Sequence, residues 1–294
     1  MMSVLTASSL QQVSTRRRVT DKVMRGSLVF ATLLALIPLI LILYFLLKKG
    51  LSAWTSSGFF TSDPTGSFFG NPGGIRSAIV GSLLMVLLAS VIAIPIGIGV
   101  ALYLTEYGKS SWFANVIRYF VDVMTGVPSI MFGLFIYIVL VTSHIGGGST
   151  AWKGSIALSL LMIPIVVRSA EVVLLLVPSN LREAALALGA PRWRVISRIV
   201  LPTAAPGLVT GSLLAVARGM GETAPLLFTV TFAFGLTLNL GNLMNSLPVE
   251  IYNDIQSPRA VIVQRAWGAG LTLVAIVLLL NIIARFIASR SRRA

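Results

Sequence analysis

Apolar stretches and basic clusters alternate along this chain. Ser27–Leu47 carries no charge, and neither does the longer Ser77–Thr105. Val123–Val141 is a third such stretch. Gly154–Val177 is a fourth, broken only by Arg168 and Glu171. A fifth runs from Ile199 to about Phe234 and contains Arg218 and Glu222, and Ala266–Ala284 is the sixth. A helix needs about 20 apolar residues to cross the hydrocarbon of a bilayer. The pattern therefore predicts an all-α, polytopic membrane protein with six spanning helices and both termini on one side.

The polar segments set orientation. With the N-terminus inside, the inner connections hold fifteen Lys and Arg residues: Arg16, Arg17, Arg18, Lys22, Arg25, Lys109, Arg118, Arg182, Arg192, Arg194, Arg198, Arg285, Arg290, Arg292 and Arg293. The outer ones hold six: Lys48, Lys49, Arg76, Lys153, Arg259 and Arg265. Positive charge is retained on the cytoplasmic side, so the count predicts N-in, C-in. The first apolar run is too long for the core of a signal peptide and no small-residue cleavage site follows it, so a retained anchor is predicted. The domain division is a cytoplasmic tail at 1–26, a membrane domain at 27–289 and a basic C-terminus at 290–294. The first fifteen residues, rich in Ser, Thr and Gln, read as disordered. Residues 50–75, with "SDPTGSFFGNPGG", and "GGGST" at 146–150 read as external turns. The external connection 235–264 has an amphipathic stretch, "LNLGNLMNSLPVEIY". It is expected to lie along the membrane surface or to plug the outer mouth.

Composition agrees. The chain is 56% hydrophobic and 11% charged, with a mean hydropathy of +0.91, against about 25% charged residues in soluble domains. The net charge of +14 is spread between spans rather than gathered on one face, which excludes a nucleic-acid partner and points to topology signals and membrane lipid. Cysteine is absent, and His144 is the sole histidine, so no thiolate or histidine metal site is expected. No nucleophile, base and metal constellation marks an enzyme. Prolines at 95, 128, 164, 206 and 225 interrupt the spans, which suits helices bent around a pathway or bent for packing. Thr203, Gly207, Gly211, Ala215 and Gly219 recur every four residues, a ridge of small side chains that lets another helix come close.

The charges inside the fifth span need a reason. Arg218 lies about 24 Å along the helix from Pro202, near or a little beyond the midplane, and Glu222 follows at i+4 on the same face. An arginine at that depth costs several kcal/mol unless it meets a partner or a wet cavity. The pair is either an internal ion pair that fixes packing or a pathway lining in which the planar guanidinium grips two oxygens of an oxyanion. Burying an ion pair for packing alone seldom gains stability, which favours the pathway. Arg168, about 21 Å from Gly154, either snorkels to the headgroups or lines the same pathway. Asp122 reads as an interfacial charge and His144 as a loop residue.

"SNLREAALALGAPRWRVISRIVLP", 179–202, is too polar for lipid. Asn180 and Glu183 form a capping-box pattern, Gly189 stops the helix, and Pro191 opens another at its first position. Two short helices with a sharp turn are predicted. The anchors Glu183, Ala184, Ala185, Gly189, Ile199, Leu201 and Pro202 resemble the cytoplasmic signature of the membrane subunits of ABC importers, EAA followed by G and I-x-L-P. The resemblance implies that this element docks on an ATP-hydrolysing subunit. It also implies the type I, MetI-like fold. The chain lacks a phosphate-binding loop: Gly108-Lys109-Ser110 has Tyr103 where the leading glycine is required. ATP and Mg are accordingly expected on the partner, with no cofactor in this chain.

A narrower resemblance rests on "ARGMGETAPLLF", "GVPSIMFGLF" and "PIVVRSAEVVLLLVPSNLREAALALGA", which are similar to the PstA family of phosphate importer permeases. It covers about Arg76 to Arg285, and departs from the family at Val172, where a second acidic residue is expected. It implies a sister permease of the PstC type, a PstB-like ATPase dimer, a PstS-like extracytoplasmic phosphate-binding protein, inorganic phosphate as cargo and a bacterial inner-membrane location. It implies a substrate-pathway role for Arg218, Glu222 and Arg168. A sulfate or molybdate permease, the PstC partner itself, and an ion-coupled secondary transporter are the alternatives. The last would often show symmetric halves and has no use for the cassette at 183–202.

Overall fold

The computed structural model describes residues 15–65, 72–108 and 110–291. Of the first fifteen residues, expected to be disordered, 1–14 lie outside the described residues, as do Lys109, Arg292 and Arg293, while Thr15 begins the first helix. Among those described, the backbone is helical between its turns, with one isolated β-bridge between Pro64 and Gly73. The chain divides into two units at Lys48.

The first unit holds most of α1 (Thr15–Trp54). The basic residues Arg16, Arg17, Arg18, Lys22 and Arg25 stand on this helix. Leu39, Ile40, Leu41, Ile42 and Leu43 are consecutive, so apolar side chains surround the helix here on every side. A helix apolar all round belongs in lipid.

The second unit begins with the last turn of α1, where the Trp54 indole N–H donates to Thr272 Oγ1 at 3.0 Å. It continues with α2 (Arg76–Leu102), α3 (Trp112–Gly126), α4 (Ser129–Ile136), α5 (Ala151–Leu175), α6 (Ser179–Ala187), α7 (Arg192–Val195), α8 (Leu201–Met220), α9 (Ala224–Thr229), α10 (Leu247–Ile255) and α11 (Ala260–Ser291). Wider π-turns at Tyr103–Gly108 and Tyr137–Val141 extend α2 and α4, and one at Ile196–Val200 joins α7 to α8.

Among the described residues five helical stretches are long and apolar enough to cross a membrane, and α3 with α4 makes a sixth only as a pair bent by 102°. The third span expected at Val123–Val141 therefore turns in its first third. Val127 precedes proline and is extended, φ −72° and ψ 130°, because the pyrrolidine ring crowds a helical residue before it. α3 is sided: Ala114 and Val121 are buried while Trp112, Tyr119 and Phe120 are exposed.

α5 is the central helix. Its Leu158, Met162 and Val166 pack with Met85, Ala89 and Ala93 of α2 and Ala215 of α8, all of them buried. The small-residue ridge of α8 lies against α5, with Gly207 at Val173, Gly211 at Ser169 and Gly219 at Met162. A methyl group at Gly211 would stand 2.6 Å from Ser169 Oγ, so only glycine lets the helices this close. The pairings run in opposite directions along the two helices, which makes them antiparallel.

The fifth apolar stretch is not one helix to Phe234. α8 ends at Met220, and Gly221–Thr223 separate it from α9. Glycines at 219 and 221 weaken the helix there, and Pro225 cannot donate the backbone bond that would continue it. The segment 235–264 also departs from a surface course. It turns inward, with Met244, Asn245, Leu247, Val249 and Glu250 buried, and α10 packs against α2 and α11. Gly81 leaves room for the backbone of Asn245, and Ser82 Oγ accepts the Leu247 N–H at 2.8 Å.

Candidate functional site

Arg218 sits in the last turn of α8, where a cation complements the helix carbonyls. The chain then breaks, the Glu222 N–H donates to Gly219 O at 3.3 Å, and the carboxylate returns to the guanidinium. The Nη2–Oε1 distance is 3.1 Å, with the arginine side chain 61% exposed and the glutamate 12%. The two residues meet as their spacing implied, although the helix that was to carry both stops between them. Among the described residues Glu222 is the one acidic partner of Arg218, so most of its donors face outward. An ion pair serving packing would be closed on both sides, and this one is not.

Arg218 closes a stripe. Thr210, Leu214 and Arg218 are exposed at intervals of four residues on α8, hence on one face. Below them a groove of about 560 Å³ runs between α5 and α8, lined by Arg168, Ser169, Val172, Gly207, Thr210 and Gly211. From the opposition of Met162 to Gly219 and Ser169 to Gly211, Arg168 lies roughly 8 Å along the groove from Arg218. Its surroundings differ. Arg168 pairs with Asp122 of α3 and, at 3.0 Å, with Glu171. Glu171 also accepts from Arg118 Nε at 2.9 Å, and Arg118 Nη2 reaches Leu104 O at 3.1 Å. Four charges, two from α3 and two from α5, thus cancel. The sequence showed each of them but not the network, because Arg118 and Glu171 are 53 residues apart.

At the far end of α8 stands the cassette. α6 runs from Ser179, capped by Pro178 with no side-chain hydrogen bond, so Asn180 is inside the helix and the expected capping box does not form. Pro191 precedes α7 as its N-cap rather than opening it. Between the two helices Gly189 has φ +79°, a conformation that suits glycine and supplies the sharp turn. Ala185 is buried against Leu174, Val195 and Val200. Glu183 and Ala184 face outward, and Leu188 is 89% exposed. Ile199 and Leu201 are half-buried and Pro202 is exposed at the start of α8. One anchor was missed from sequence. Arg182 donates to Glu106 Oε1 at 3.0 and 2.8 Å and to the carbonyls of Val177 and Leu174 at 2.7 and 2.9 Å. It clamps α6 onto the end of α2. A cleft of about 710 Å³ beside the clamp is lined by Glu106, Arg118, Arg182, Glu183 and Arg192. Among the described residues no three His, Cys, Asp or Glu side chains gather as a metal site.

A helical fold around α5, an outward-facing cassette and an open groove between α5 and α8 with Arg218 beyond it suit a transport subunit, and the comparisons agree. Residues 93–293 match the family of binding-protein-dependent transport system inner membrane components, and the chain belongs to that family. It is a multi-pass inner-membrane transport subunit, not an enzyme. Solved structures share the fold: a bacterial alginate ABC transporter bound to its periplasmic protein at a TM-score of 0.62 and 16% identity, covering 93% of this chain and 98% of that one. The MetNI methionine ABC transporter, inward facing, matches at 0.55 and 20% identity, covering 74% and 94%.

Within that class the chain is a member of the PstA family. It is 44% identical to phosphate transport system permease protein PstA of Yersinia pestis, over 88% of this chain and 87% of that protein. It is 41% identical to PstA 1 of Mycobacterium tuberculosis, over 95% and 91%.

Proposed function

We propose that this chain forms one half of the translocation pathway of an ATP-driven inorganic phosphate importer. A sister permease of the PstC type closes the open side of the groove. A PstB-like ATPase dimer, which binds ATP and Mg, seats on the cassette through Glu183, Ala184 and the turn at Gly189, while Ala185 packs inward and holds α6 in place. A PstS-like binding protein delivers phosphate at the opposite face. Both termini are cytoplasmic, from the distribution of lysine and arginine. The observation that carries the proposal is the outward-facing guanidinium of Arg218 above the α5–α8 groove, in a chain 44% identical to a phosphate permease.

The chemistry follows from the pair. Arg218 offers a planar fork to two phosphate oxygens. Glu222 accepts the proton that phosphate retains at neutral pH, a bond that sulfate cannot supply. Arg168 is further along and already neutralised, so its part is smaller: it receives anion only if Asp122 or Glu171 releases it. Binding stays weak because cargo must also leave. The test is uptake of radiolabelled phosphate in cells lacking their own importer. Arg218→Gln should reduce uptake roughly 100-fold or more, on the scale of a lost charge-assisted contact of about 3 kcal/mol. Glu222→Gln should narrow the preference for phosphate over sulfate. Uptake unchanged in Arg218→Gln would refute the pathway.

A further inference from the structure

Two ion pairs tie α3 to α5, and they are not alike. Glu171 is 9% exposed and is held from two sides, by Arg118 Nε at 2.9 Å and by Arg168 Nη1 at 3.0 Å. Arg118 is fixed in turn by Leu104 O at 3.1 Å. This inner pair does the fastening, because taking away a buried partner strands a charge. Asp122 is 59% exposed, and among the described residues its carboxylate meets Arg168 alone. An ion pair this open adds little to stability. Asp122 can therefore leave Arg168, while Glu171 cannot.

Arg168 touches Asp122 and also lines the α5–α8 groove. Its side chain is 36% exposed. Of its five N–H donors, Nε–H and one on each terminal nitrogen have no acceptor among the described residues. It stands about 10 Å before the end of α5 at Leu175, inside the span. Charges at that depth face water or protein rather than lipid, so the open side of the Asp122–Arg168 pair is the wet side of the pathway. With Asp122 in place the four charges sum to zero. With Asp122 turned away, Arg118, Arg168 and Glu171 carry one net positive charge, and Arg168 offers its fork to another oxyanion.

We propose that Asp122 is a tethered counter-ion, which gives up Arg168 to phosphate and then takes it back. Cargo leaving Arg218 displaces the carboxylate and rests on Arg168, roughly 8 Å nearer the cassette. Asp122 then competes for the same donors from its own helix, at an effective concentration of about millimolar or higher. Its return drives the phosphate off. A tethered competitor weakens binding without altering any contact to the cargo, and a site on a pathway must release what it holds. The choice of phosphate rests on the importer function proposed above; the exchange of oxyanions at Arg168 does not.

Binding of radiolabelled phosphate to the assembled transporter, in detergent and without nucleotide or binding protein, reads the exchange directly. Asp122→Asn removes the charge and nearly keeps the shape. Phosphate should then bind about 10-fold more tightly, the scale of losing one half-exposed competitor, and should leave several-fold more slowly. Adding Arg168→Gln should cancel that gain, because Asp122 acts through Arg168. Asp122→Glu should bring weak binding back. Where Asp122→Asn does not assemble, Asp122→Ser takes its place with the same expectation. In cells, slower release should lower the maximal uptake rate of the neutral variant several-fold, with no rise in the half-saturating phosphate concentration. Unchanged affinity in the neutral variants, or a gain that survives Arg168→Gln, would overturn the counter-ion role and leave Asp122 a packing contact. The two readings fail separately. A gain for sulfate but none for phosphate keeps the exchange and removes the phosphate importer, and phosphate uptake with no gain in binding does the reverse.

Discussion

Arg218 and Arg168 stand in apolar spans and Arg265 just before one, and the company each keeps decides what it can do. Arg218 has one carboxylate and faces outward; Arg168 has two and is neutralised. Arg265 is buried, bonding Asp254 at 2.7 Å through both Nε and Nη2, with Glu250 Oε1 at 3.1 Å. Two acids share that arginine, and the Asn245 amide bonds the other oxygen of Glu250. Burial, with Asp254 adjacent, pushes the Glu250 carboxyl up to about 8. The folded group keeps its proton where the unfolded one, near 4.5, has lost it. Unfolding then releases a proton, so stability from this site is greatest below about pH 4.5 and falls as pH rises to about 8. The purified chain should lose roughly 3–8 °C of melting temperature between pH 5 and 8, and Glu250→Gln should flatten that slope. A slope unchanged in the variant would assign it elsewhere. Each of these charges was visible in the sequence. Their partners were not, since Asp254 and Arg265 belong to different helices and meet only through folding.

Among the elements, α8 combines two functions: its small-residue ridge seats it on α5, and the face carrying Thr210, Leu214 and Arg218 stays open. The ridge was legible because helical periodicity places every fourth residue together, and Gly207, Gly211 and Gly219 do lie against α5. Gly211→Leu would drive a branched side chain into Ser169. Overpacking of this kind costs about 1–3 kcal/mol, seen as a lower melting temperature and less assembled transporter. A variant as stable as the parent would mean that α8 does not need this close approach. The breaks were less legible. Pro128 was marked as an interruption, but a right-angled turn at Val127 depends on how α3 seats Ala114 and Val121 against the rest. The gap at Gly221 likewise lies in a stretch whose hydropathy is continuous.

On the scale of the molecule, α8 is one rod that runs about 24 Å from Pro202 at the end of the cassette to Arg218. On the function proposed above, a push on α6 and α7 would reach the groove through it, because Arg182 ties α6 to the end of α2 and the π-turn at Ile196–Val200 carries α7 straight into α8. Two variants probe this linkage separately. Glu183→Lys alters the outward face and should abolish uptake by weakening the ATPase dock while the permease pair still assembles. Arg182→Ala leaves that face intact and loosens its mount, so ATP hydrolysed per phosphate imported should rise several-fold. Equal coupling in Arg182→Ala and the parent would show that the clamp transmits nothing.

Hydropathy and motif spacing are local quantities, each residue contributing independently of the fold. By themselves they determined the helical class, the apolar spans, the cassette with its turn at Gly189, and the closeness of Arg218 and Glu222. The tertiary structure decided what depends on distant segments meeting. It turned 235–264 inward, gathered Arg118, Asp122, Arg168 and Glu171 into one neutral network, and left Arg218 open. It also buried Lys153 behind a glycine loop, where three carbonyls take its donors. Charge is a property of a residue, but neutralisation and exposure are properties of its neighbours, and those are set only when the chain has packed.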